Sequence, residues 1–83
     1  MDHAAILERV IALTSEELEC DPAGLSEGTE FKSLDANSFD LLELIIAIED
    51  EFGIPFDDEK PQTIVSIADV VRVIEAARAE ETS

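Results

Sequence analysis

Leu41, Leu44, Ile45, Ile48 and Phe52 recur at steps of three, one, three and four along the chain. That rhythm paints one face of an α-helix. It cannot serve a strand, whose faces alternate at every second residue. Gly53 and Pro55 close the stripe. Glycine accepts a left-handed turn past the last helical residue, and proline cannot continue the hydrogen-bond ladder. At the other end Asn37 is a good N-cap, and Asp40 falls in the electropositive first turn.

The same period governs two further stretches. Ile6, Leu7, Val10, Ile11, Thr14 and Leu18 predict a helix over about residues 3–19, which "CDPAG" should stop through Pro22 and Gly24. Ile67, Val70, Val71, Ile74 and Ala77 give a buried face to "SIADVVRVIEAARAE". Ser66 and Asp69 open that segment at capping-box spacing, with Asp in place of the usual Glu. Residues 20–36 form a long connection whose Leu25, Phe31 and Leu34 should tuck into the core. "IPFDDEKPQTIV" has room for one short helical turn after Pro61, and its "TIV" is too short and isolated to build a sheet. The fold class is therefore all-α: a small four-helix bundle of three main helices plus one short helix, with a long first loop. At 83 residues the expectation is a single domain over 1–83, with about 79–83 as a frayed tail.

Charge narrows the function. Five Lys+Arg against 21 Asp+Glu give a net −16. Nucleic acid and anionic membrane surfaces would repel such a chain, whereas proteins with basic patches would attract it. The longest apolar run, "LIIAI" at 44–48, is far below membrane-spanning length. "MDHAAILERV" lacks a signal peptide's basic start and long apolar run, and the single Cys20 cannot form an internal disulfide. A monomeric protein of the reducing cytoplasm is expected.

Catalytic constellations do not assemble. His3 has no ligand set for zinc and reads as an exposed residue at a helix start. Cys20 has no basic neighbour to stabilise a thiolate and reads as a loop or partly buried structural thiol. Gly24, Gly28 and Gly53 are too scattered for a phosphate loop, and "FDDEK" lacks the ligand periodicity of a calcium loop and reads as a solvated acidic surface. No catalytic and no metal-binding residue is assigned.

The second helix offers more. Asp40, Glu43, Ala47 and Asp50 line one side of it, with Glu51 flanking. Phe39, Leu42 and Ile46 form an apolar line off the centre of the core stripe. An acidic rail beside greasy residues suits a docking helix, in which charge steers and apolar contact anchors. Periodicity alone serves equally well a helix buried on two sides with its acids merely solvated.

"LDANSFDLLELIIAIEDEFGI" resembles the region around the modified serine of acyl carrier proteins. There the pattern runs Leu-Gly-x-Asp-Ser-Leu-x-x-x-Glu-Leu, followed by an acidic Glu-Glu-Phe helix end. Leu34, Ser38, Glu43, Leu44, Glu49, Glu51 and Phe52 stand at matching places, and the likeness covers nearly the whole chain. It implies that Ser38 is the attachment point of 4′-phosphopantetheine, transferred from coenzyme A by a phosphopantetheinyl transferase. It implies too that acyl groups ride on the arm's thiol as thioesters, in fatty acid, polyketide or related specialised biosynthesis. The implied partners are acyl-transferring, synthase or ligase enzymes with basic patches. Asn37, Phe39, Asp40, Leu42, Glu43, Ile46, Asp50 and Glu51 would dock them, and Ile45, Phe56, Ile64, Ile67, Val70 and Val71 would line an acyl-chain cavity. Asn37 replaces the family's usual Asp, and Phe39 its usual Leu, which points to a specialised member. An aminoacyl or peptidyl carrier, or an unmodified acidic helical adaptor, remain alternatives.

Overall fold

The computed structural model describes residues 2–54, 56 and 64–82, with side chains as far as 78. Three helices occupy the three periodic segments: α1 (His3–Leu18), α2 (Ser38–Phe52) and α3 (Ile67–Thr82). No strand forms among the described residues. The short fourth helix expected after Pro61, and the acidic residues of "FDDEK" beyond Phe56, lie outside them.

α1 packs against both α2 and α3. The core between them takes Ile6 and Val10 from α1, Leu44, Ile45 and Ile48 from α2, and Ile67, Val70, Val71 and Ile74 from α3. Each of these nine side chains is at most 4% exposed, as the 3.6-residue period requires of a face turned inward. Thr14 is buried with them, and its hydroxyl is satisfied by donating to the Val10 carbonyl at 2.8 Å.

The first helix ends at Leu18, close to where its periodicity puts it, but by a different turn. Its turn falls on Glu19, which takes the left-handed conformation (φ 51°, ψ 51°), and not on Gly24. Asp21, Pro22 and Gly24 instead build a separate 3₁₀ turn, in which the Asp21 carboxylate accepts the Ala23 amide at 2.9 Å. Proline suits the first position of such a turn because its missing donor would be unpaired there anyway. Cys20 is partly buried against the core, and its carbonyl accepts the Ser15 hydroxyl at 2.6 Å.

The long connection is anchored from both sides. Leu25 and Phe31 are buried and Leu34 packs against the core. A second 3₁₀ turn, Phe31–Leu34, ends on Asp35 in the left-handed conformation (φ 59°, ψ 25°). The loop's carbonyls then cap α3: Glu27 accepts the Ala68 amide at 2.9 Å and Thr29 the Ile67 amide at 3.0 Å. The Phe31 amide returns a bond to Val65 at 2.9 Å. Half of the box expected at Ser66 and Asp69 forms, since the Asp69 carboxylate accepts the amides of Val65 (2.9 Å) and Ser66 (3.0 Å). The other half does not: the Asp69 amide goes to the Ser66 carbonyl, and the Ser66 hydroxyl donates to the carboxylate. These bonds, the Val65 amide's first among them, hold the Asp69 carboxyl below its ordinary range.

Candidate functional site

Asn37 and Ser38 divide the start of α2 between them. Asn37 is the N-cap, with its side-chain oxygen accepting the Asp40 amide at 2.9 Å. The Asp40 carboxylate accepts the Asn37 amide in return, at 3.4 Å, which completes a capping box. Ser38 is therefore the first helical residue and is not needed as a cap. Its side chain is exposed. Asn37 also takes the Leu41 amide on its carbonyl, at 3.0 Å. The Ser38 and Phe39 amides donate to nothing among the described residues, as the open end of a helix dictates.

Beside Ser38 lies a hollow of about 280 Å³. Phe31, Ala36, Leu41, Ile64 and Val65 form its apolar wall, and Lys32, Asn37 and Ser38 its polar rim. The wall exists because the loop is stitched to the entry of α3, which sets Val65 across from the start of α2. The site thus offers a free hydroxyl, a helix N-terminus that favours an anion, and an apolar trough for a chain leading away. A phosphate-linked arm fits these features.

The other residues singled out from sequence separate into two groups. Phe39, Leu42 and Ile46 are 65%, 46% and 55% exposed, so α2 is not buried on two sides. Glu43 and Asp50 are exposed beside them, while Asp40 is partly buried within its capping box. Glu51 is also at the surface, but its carboxylate accepts from Arg9 Nε of α1 at 2.7 Å. Ile45, Phe56, Ile64, Ile67, Val70 and Val71 are all buried in the core, and of these only Ile64 borders the hollow. Lys32 is the rim residue that sequence reasoning passed over. Nothing in its spacing separates it from a surface lysine.

His3 holds an unforeseen position. Its Nδ1 lies 3.0 Å from Glu75 of α3, and its Nε2 lies 3.0 Å from Glu27 of the loop. These two carboxylates, Glu75 foremost, raise its pKa above the ordinary histidine value.

Comparison with known proteins shows what the chain as a whole is similar to. The family described as "Phosphopantetheine attachment site" matches residues 8–74. A protein named "Acyl carrier protein" from Helicobacter pylori strain G27 is 42% identical over 72 residues, covering 86% of this chain and 92% of that protein. "Acyl carrier protein AcpP" of Rhizobium meliloti strain 1021 is 39% identical over 75 residues, covering 89% of this chain and 96% of its own. A protein named "Acyl carrier protein" from Thermosynechococcus vestitus is 36% identical over 75 residues, covering 89% of this chain and 93% of its own.

Proposed function

The chain belongs to the acyl carrier protein family, and from that premise we propose that Ser38 is its attachment residue for 4′-phosphopantetheine. The observation that carries the assignment is the division of labour at the start of α2. Asn37 does the capping, which leaves the Ser38 hydroxyl exposed beside an apolar trough. When bound, the arm supplies a terminal thiol that holds acyl groups as thioesters. The chain's own residues attach and orient the arm and present it to partners, and none of them acts as a catalyst. In this reading it is a single-domain, monomeric, cytoplasmic carrier of fatty acid, polyketide or related specialised biosynthesis. The partners are a phosphopantetheinyl transferase and acyl-handling enzymes with basic patches. They dock on Asp40, Glu43 and Asp50 with the exposed Phe39, Leu42 and Ile46, and Asn37 shapes what the transferase meets. Glu51 contributes less directly, because Arg9 already occupies its carboxylate.

Intact-mass analysis after incubation with coenzyme A and a broad-specificity transferase tests the reading. One phosphopantetheinyl group should be gained, and Ser38→Ala should abolish the gain. If several transferases leave the wild type unmodified, the acidic adaptor replaces the carrier. The same loaded samples, given a medium-length acyl chain, report on cargo. A chain entering past Ile64 must part the core at Ile45, Phe56, Ile67, Val70 and Val71, and each buried methylene offsets that by about 0.8 kcal/mol. Chemical shifts at these residues should then depend on the acyl group. If they do not, the cargo stays in the hollow or in solvent.

A further inference from the structure

We propose that Lys32 is a positioning residue for the phosphate of the arm on Ser38, across the hollow whose rim the two share. The inference rests on the assignment of Ser38 made above.

Its basis is a local conflict of charge. A phosphodiester on Ser38 would gain from the open amides of Ser38 and Phe39, but would also stand beside the Asp40 carboxylate, which the capping box holds next to Asn37. Asp35 is exposed just upstream, and the whole chain is at −16. A further anion there is repelled by its surroundings unless a cation answers it. The chain has only five basic side chains. Arg9 is spent on Glu51, and Arg72 on Asp69. Arg78 stands three turns along α3 from the helix start beside the hollow, and Lys60 lies outside the described residues. Lys32 is the one basic residue among those lining the hollow, and it takes part in no ion pair among the described residues.

Its placement is built into the loop. The buried Phe31 and the Phe31–Val65 backbone bond fix the 3₁₀ turn on the wall, so its neighbour Lys32 emerges at the rim. An ammonium on a four-carbon stem suits a phosphodiester as a mobile point charge. Held from both sides, the arm would leave Ser38 along the Phe31–Ile64–Val65 wall and not toward Phe39.

Thermal melts of wild type, Lys32→Arg, Lys32→Gln and Lys32→Glu, each unmodified and fully phosphopantetheinylated, test this at about 20 mM and about 500 mM salt. The readout is the change in Tm on loading, so any effect of the substitution on the unmodified fold cancels. Lys32 is exposed, so all four variants should fold. At low salt the change should be about 1–4 °C less favourable in Lys32→Gln than in wild type, worse again in Lys32→Glu, and preserved in Lys32→Arg. High salt should erase the differences. Equal changes in all four variants overturn the role of Lys32 while leaving Ser38 intact. Intact mass is read first, and a wild type that does not load overturns the assignment of Ser38 together with this one.

Discussion

At the scale of single residues, the approach to the site depends on a strained one. Asp35 closes the 3₁₀ turn before Ser38 with φ 59°, where the acyl carrier pattern places glycine. Left-handed backbone costs a side-chain-bearing residue about 1–2 kcal/mol, less for aspartate and almost nothing for glycine. Asp35→Gly should therefore stabilise the fold by about 0.5 kcal/mol, net of the freedom that glycine adds to the unfolded chain. Urea denaturation should show a higher midpoint with an unchanged slope. Asp35→Ala, which keeps a Cβ and loses the polar group, should not share the gain. A midpoint that falls in Asp35→Gly would mean that the aspartate side chain itself holds the turn. The contrast with Gly53 is instructive: it ends α2 at φ 65° with its amide on the Glu49 carbonyl at 2.8 Å, the conformation glycine takes freely.

At the scale of elements, α2 presents charge and grease on one exposed face, and the two should be separable. Glu43 is exposed, absent from every ion pair among the described residues, and remote from the capping box. Glu43→Lys should leave folding almost untouched and slow association with a basic partner about 3- to 10-fold at low salt, by loss of steering. Stopped-flow association rates across a salt series would check this, and rates indifferent to both changes would reduce the rail to a solvated surface. The helices were legible in sequence because their causes are local. An apolar stripe, an N-cap and a C-terminal glycine lie within one segment, and Asn37, Asp40 and Gly53 all act where their spacing puts them. What sequence left out is joined over distance. Glu27 and Thr29 cap α3 from the far side of the loop, and Arg9 reaches Glu51 across 42 positions. Such pairings leave no periodic trace. The end of α1 was legible too, but the residue that turns the chain there was not. Pro22 and Gly24 were visible as breakers, but a glutamate carries no mark in sequence that it will take the left-handed conformation, as Glu19 does.

At the scale of the whole molecule, stability should peak in mildly acidic solution, because two clasps titrate in opposite directions. His3 joins α1 to the loop through Glu27 and to α3 through Glu75, and Glu27 also caps α3 with its carbonyl. Its pKa is raised by these partners, so its contribution is complete below the unfolded value of about 6.5 and disappears as pH rises through the raised folded value. Asp69 behaves conversely. Its pKa is lowered, chiefly by the Val65 amide, so its contribution is complete above the unfolded value of about 3.9 and is lost as pH falls through the depressed folded value. Both are therefore in place from about pH 4 to about 6.5. Acidic conditions also relieve the self-repulsion of a chain that reaches −16 near neutrality. Melts from pH 5.5 upward at low salt should show Tm falling through and above neutrality in wild type. His3→Gln, which cannot gain the charge, should start lower and fall less over the same interval. The two curves should converge at alkaline pH, where wild-type His3 is neutral, and salt should compress the gap elsewhere. Parallel curves would mean that His3 adds no pH-dependent attraction.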